Sequence, residues 1–187
     1  KLRKINSDLY AWIYIPHTKV DYPIAQSADD NSYYLKYNMN KEPEFAGCIY
    51  TENYNSKDFE DPNTVIYGHN MRNDSMFGSL HDFEDSEFFE KNKFVFIYTP
   101  DEVMTYRIFA AYEYDDRHIL GTFDFSDKEV YDKYLKSIYE VNTMVSNYRK
   151  DVKVTSEDKI ITLSTCASGK PESRYLVQAV LEDVKTR

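Results

Sequence analysis

Cysteine is nearly absent from this 187-residue chain; only Cys48 and Cys166 occur. Two thiols can form at most one bridge, so a disulfide-stapled scaffold is excluded, and a chain of this length can bury a sizeable core without staples. Whether the two pair is left open by the sequence. No C-x-x-C or H-x-x-x-H spacing is present, so neither a metal nor any other cofactor is expected. The acidic clusters at Asp58 to Asp61 and Asp115-Asp116 lack EF-hand spacing and read as solvated loops. No run of about 18 apolar residues exists to span a membrane as a helix, and no signal peptide is visible. The chain opens on Lys1-Leu2-Arg3-Lys4 without methionine. This fits a fragment whose N-terminal targeting segment and membrane anchor precede it. Basic residues are outnumbered, 23 Lys and Arg against 32 Asp and Glu, for a net charge of −9. Nucleic acid, which needs a basic patch, is excluded as a partner. There is no internal repeat, low-complexity segment or βαβα alternation, which argues against a doubly wound sheet.

What is present is a globular balance, 42% hydrophobic and 29% charged, in one expected domain spanning 1–187. Eighteen Tyr and 11 Phe stand against one Trp, a content suited to half-buried strands and groove walls. Leu2, Ile5, Leu9 and Trp12 at 3–4 spacing predict a helix over about 2–12. Strands are predicted at 12–16, 22–24, 47–51 and 64–67, with helical turns at 32–37. Short helices are expected at 76–83 and 86–91, and a hairpin pairs 94–99 with 103–114. Ser126-Asp127-Lys128-Glu129 is a capping box. Behind it Tyr131, Tyr134, Leu135, Ile138, Val141 and Val145 lie on one helical face, predicting a helix over about 127–147. Strands at 159–165 and 175–181 close a mainly antiparallel β-barrel or sandwich.

The run Ile160-Ile161-Thr162-Leu163 turns small and polar at Ser164-Thr165-Cys166. Strand alternation puts Thr162, Ser164 and Cys166 on one face and Ile161, Leu163 and Thr165 on the other. A thiol where the strand runs out is placed to react. His69 likewise follows the strand Thr64-Val65-Ile66-Tyr67-Gly68, 97 residues upstream. Arg174 precedes Tyr175-Leu176-Val177, eight residues after Cys166 and across an expected loop, Ala167 to Ser173. If that loop joins antiparallel neighbours, Cys166 and Arg174 lie side by side. These residue types suit acyl transfer through a thioester. A thiolate attacks, a histidine moves the proton, and a permanently charged guanidinium holds the oxyanion or the substrate backbone. Cys48 reads as a small buried hydrophobe, and His17, His81 and His118 as hydrogen-bonding residues of polar loops and short helices.

Thr162-Leu163-Ser164-Thr165-Cys166, Tyr67-Gly68-His69-Asn70 and Ser173-Arg174-Tyr175 together resemble the sortase family of cysteine transpeptidases. The order His, Cys, Arg matches across essentially the whole chain. The late helix and the N-terminal helical segment are similar to class B. The resemblance implies an eight-stranded sortase-type β-barrel, with Cys166 as nucleophile, His69 as general acid and base, and Arg174 as oxyanion or substrate stabiliser. It also implies a substrate groove involving Asn31, Leu35, Tyr67 and Ser164. The implied activity, of cysteine-peptidase type, cleaves a C-terminal sorting signal at its threonine. The acyl group is then passed to an amine of a peptidoglycan precursor or a pilin lysine, at the extracellular face of the membrane. Papain-like chains place Cys before His, caspases need Gln-Ala-Cys-x-Gly, and L,D-transpeptidases want His-Gly-Cys near the nucleophile. A cysteine hydrolase without transfer is one alternative. A non-catalytic β-domain binding peptide or carbohydrate is another, and it would leave the three residues unrelated in space.

Overall fold

The structure, a computed structural model, describes residues 2–187. Its strands are β1 (Leu9–Tyr14), β2 (Asp21–Ala25), β3 (Ile49–Thr51), β4 (Asn63–Tyr67), β5 (Phe94–Tyr98), β6 (Glu102–Asp115), β7 (Asn147–Tyr148), β8 (Ile160–Ala167) and β9 (Lys170–Thr186). The sheet order is β5-β1-β2-β3-β4-β8-β9-β6, and pairing of β6 with β5 closes it into an eight-stranded barrel. The two-residue β7 adds to the outer side of β6. Helices are few: α1 (Ser86–Lys91), α2 (Ile119–Thr122), α3 (Lys128–Ile138) and 3-10 turns at Leu2–Lys4, Tyr33–Leu35 and Gly78–Glu84. Among the described residues no helix is long and apolar enough to cross a membrane.

Two junctions break the antiparallel pattern. β2 runs parallel to β3, and β4 runs parallel to β8 with Tyr67 opposite Ser164. A parallel pair cannot be joined by a tight turn and needs a long crossover. Here the crossover carries β5, β6 and all three α-helices.

The sequence pattern fills the barrel. Ile13, Ile24, Ile49, Ile66, Ile97, Ile108, Ile161 and Leu163 are fully buried in its interior; each such side chain contributes about 1.5–3 kcal/mol by leaving water. A second layer lies between the outer sheet face and α2 and α3. There Tyr131, Tyr134, Leu135 and Ile138 of α3 pack on Val65, Phe109, Tyr112, Ile160, Leu176 and Val180. A buried hydrogen-bond chain pins this layer. Tyr112 Oη donates to Gln178 Oε1 (2.8 Å), Gln178 Nε2 donates to Tyr134 Oη (2.8 Å) and Thr162 Oγ1 (2.9 Å), and Thr162 Oγ1 donates to Asn63 Oδ1 (2.9 Å).

Four expectations are corrected. The N-terminal helix is a single 3-10 turn; Leu9 and Trp12 lie in β1, which pairs on both edges with β2 and β5 and so satisfies its backbone there. Asp127, not Ser126, caps α3, accepting from the amides of Glu129 and Val130, while the Ser126 hydroxyl donates to Asp124. α3 stops at Ile138, nine residues short of the expected end. Val141 and Val145 still pack inward, but from an irregular segment in which Thr143 and Ser146 bond to each other in a side-chain turn. Finally, the expected 167–173 loop is a two-residue turn at Ser168-Gly169, with Gly169 in the left-handed region (φ 70°) and strands on both sides.

Replacing Gln178 by Leu removes the centre of the buried chain and takes a partner from the hydroxyls of Tyr112, Tyr134 and Thr162, of which Thr162 keeps its bond to Asn63. Stability to urea should fall by about 2–4 kcal/mol. A change within about 0.5 kcal/mol would show that the chain is not holding the layer.

Candidate active site

The parallel β4–β8 pairing brings together residues far apart in sequence. Tyr67 and Ser164 are the last residues of that ladder in register, and the Gly68 amide still donates to the Ser164 carbonyl (3.2 Å). β4 ends there while β8 runs on beside β9, so His69 and Cys166, each two residues past the last parallel pair, lie at the same edge. β9 returns antiparallel to β8 with Arg174 directly opposite Cys166, which puts the two side chains on one face. All three residues line a single cleft of about 230 Å³.

The face carrying Thr162, Ser164 and Cys166 turns outward. Thr162 is sealed under Tyr134 of α3; Ser164 and Cys166 reach beyond the helix and line the cleft, and Cys166 is exposed. The opposite face, Ile161 and Leu163, fills the barrel. Gly68 is what lets His69 leave β4 closely: a β-carbon there would sit 2.5 Å from Ile49 Cδ1 and 2.7 Å from the Phe77 ring, both in the core. The His69 ring stacks on Phe45 (centroids 5.5 Å), and its Nε2 lies 2.8 Å from the Leu35 carbonyl. A carbonyl only accepts, so Nε2 carries the hydrogen in that bond.

Of the expected groove residues, Leu35, Tyr67 and Ser164 line the cleft and Asn31 does not. The Asn31 side chain instead pairs with Asn53, accepting from its amide (2.7 Å) and donating to its side chain (3.0 Å). Tyr67 stacks on Tyr50 (5.3 Å), a further wall residue. Burial first, and then the charge of Glu52, push the Tyr67 phenol well above its ordinary value, so it stays a donor and reaches Glu52 at 3.5 Å.

Sequence reading missed the opposite wall. Tyr114 to Ile119 lines the cleft because β6 pairs with β9, Tyr114 facing Arg174 and Asp115 facing Ser173. Asp115-Asp116 is therefore cleft wall rather than open loop. His118 accepts from the Gly121 amide through Nδ1 (2.8 Å) and so donates through Nε2 to Glu52 (2.5 Å), linking this wall to β3. His81 lies in the 3-10 turn beside the site, its Nε2 3.0 Å from the carbonyl of Cys166. No local pattern marks either histidine, since both roles depend on pairings set elsewhere in the chain.

Comparison with known proteins agrees with this geometry. A family model for the Sortase domain matches residues 13–182. Sortase B of Listeria monocytogenes is 38% identical over 186 residues, covering 96% of this chain and 72% of that protein. The crystal structure of Clostridium perfringens sortase B superposes with a TM-score of 0.87 at 36% identity, covering 97% of this chain and 98% of that one. A Staphylococcus aureus sortase B–substrate complex gives 0.83 at 29% identity, covering 97% of this chain and 83% of that one. With the closed eight-stranded barrel, these matches establish that the chain belongs to the sortase family of cysteine transpeptidases, which anchor surface proteins, and that its relatives are class B sortases.

Proposed function

We propose that Cys166, His69 and Arg174 carry out transpeptidation on a C-terminal sorting signal. The observation that carries this reading is their shared cleft, with Cys166 and Arg174 paired across β8 and β9 and His69 leaving β4 at the same edge. The Cys166 sulfur attacks the carbonyl carbon of the signal's threonine, forming the C–S bond. The negative charge on the carbonyl oxygen is met by the guanidinium of Arg174, whose fixed fork suits an oxyanion. The C–N bond then breaks, and the departing amine leaves with a proton from His69, giving a thioester. An amine of a peptidoglycan precursor or a pilin lysine attacks the thioester, passes a proton to His69, and restores the thiolate as C–S breaks. Leu35, Tyr50, Tyr67, Ser164, His118 and Ile119 form the walls that the signal would contact. On this reading the domain would work at the extracellular face of the cell membrane, held by an N-terminal anchor. The Staphylococcus aureus sortase B–substrate complex, a structural relative, supports reading this chain as one that binds such a substrate.

The chemistry needs a lone reactive thiol, and the two cysteines differ accordingly. Both are free. Burial pushes the Cys48 thiol up to about 12, against a weaker opposing bond from the Ile49 amide, so it stays protonated at neutral pH. The thiolate is the nucleophile. Iodoacetamide at neutral pH should therefore alkylate Cys166 alone in the native protein, abolishing activity, and reach Cys48 only after denaturation. Comparable native labelling of Cys48 would contradict this.

Cys166→Ala should abolish cleavage and transfer of a threonine-containing sorting-signal library while the fold persists; retained activity would rule out Cys166 as nucleophile. Arg174→Lys should lower kcat/KM by about 10²-fold, whereas full activity in that variant would mean the guanidinium serves only as a charge.

A further inference from the structure

The carbonyl of Cys166 is held by a polar group that the transfer chemistry does not use. Asn70 Nδ2 donates to it at 3.0 Å, and His81 Nε2 approaches the same oxygen at 3.0 Å. Asn70 Nδ2 also lies 3.1 Å from His81 Nε2, and His81 Nδ1 lies 2.5 Å from Glu84 Oε1. The His81 ring stacks on Tyr175 of β9 (centroids 4.9 Å, 29° between planes). Two segments thus converge on one peptide oxygen, the residue after His69 and the 78–84 turn, and the strand that carries Arg174 braces the second.

We propose that Asn70 and His81, with Glu84 behind His81, are positioning residues that fix the backbone of the nucleophile. This rests on the reading of Cys166 as nucleophile. The physical need is local. β8 and β9 shift register between Cys166 and Ala167, so the regular ladder stops at the residue that must be held still. Other bonds must orient its peptide, and a misplacement of about 1 Å in a reacting group can cost about 10²-fold in rate.

The Cys166 carbonyl has a donor in either protonation state of the imidazole. In the neutral ring Nδ1–H donates to Glu84 and Nε2 accepts one Asn70 N–H, while the second Asn70 N–H donates to the Cys166 carbonyl. In the cationic ring Nε2–H donates to that carbonyl directly, a stronger charge-assisted bond. The carbonyl is held either way. The 78–84 turn is itself anchored: Asn147 Nδ2 donates to the carbonyls of Phe83 (2.8 Å) and Glu84 (3.1 Å), and Ser79 Oγ accepts from the Lys19 amide (3.1 Å). His81 therefore stands on a fixed base.

The test compares His81→Phe, which keeps a ring against Tyr175 but removes Nε2, with His81→Gln, which restores an amide able to accept from Asn70 or donate to the carbonyl, and with Asn70→Ala. Carbonyl-¹³C cysteine gives two resonances, and Cys166→Ala assigns them. His81→Phe and Asn70→Ala should move the Cys166 resonance and leave that of Cys48 in place. With a sorting-signal peptide cleaved by the wild-type protein, kcat should fall about 10-fold or more at a KM within about 2-fold. His81→Gln should recover most of the loss. An unmoved Cys166 resonance, or kcat within about 2-fold of wild type in both His81→Phe and Asn70→Ala, would overturn the proposal. So would a loss that tracks melting temperature and is not rescued by Gln. If Cys166→Ala stays active, the functional reading fails, whereas the resonance shift still decides whether the carbonyl is held.

Discussion

The in-register parallel pairing of β4 with β8 is the constraint on which the rest depends. Two parallel strands end at the same edge, so whatever follows each strand meets there. That single geometric fact brings the segment Gly68-His69-Asn70 against Ser164-Thr165-Cys166. An antiparallel pairing would have sent the two ends to opposite sides of the barrel. The cost is topological: a parallel pair needs a crossover, and this one runs from residue 68 to 159. The chain uses that length to build β5 and β6, which close the barrel, and α2 and α3, which cover the outer face.

The boundary between covered and open sheet then sets where chemistry can occur. Along β8, Thr162 sits under α3 in a buried hydrogen-bond chain, Ser164 is nearly buried at the cleft wall, and Cys166 is exposed. The same strand face passes from core to cleft within five residues. A slip of one residue would put Ile161 and Leu163 outside and Thr162 and Ser164 into the barrel. The buried chain through Tyr112, Gln178, Thr162 and Asn63 opposes that slip, because only the native register satisfies every member. The network that secures the second layer thus also fixes which face the thiol presents.

This logic explains what the sequence disclosed. The alternation around Cys166, the strand before His69 and the adjacency of Cys166 and Arg174 were legible because they depend on period-2 patterning and short connections. The helix boundary at Ile138 was not. Val141 and Val145 keep helical spacing and pack inward, yet Thr143 and Ser146 divert the backbone into a side-chain turn. Leu9 and Trp12 fit a helical spacing, but β1 finds backbone partners on both edges. His81 and His118 lay beyond local reading altogether. Their partners, Cys166 and Glu52, are 85 and 66 positions away. Asn31, a groove residue only by the family resemblance, lies outside the cleft that holds Cys166, with its side chain bonded to Asn53.

The two cysteines show how far placement governs reactivity. Cys48 packs with Leu9, Ala25, Tyr34 and Tyr50, where burial holds its proton. Cys166 opens on a cleft whose wall includes that same Tyr50. Tyr50 therefore contributes to both environments: with Cys48 it completes an apolar cluster, and through its stack on Tyr67 it forms part of the cleft. A compact apolar environment on one side of the ring keeps one thiol inert, and the open edge on the other leaves its counterpart available. At the proposed extracellular location a reactive thiol must stay reduced in oxidising surroundings. Burying the second thiol behind a packed aromatic pair meets that requirement without removing a cysteine from the sequence.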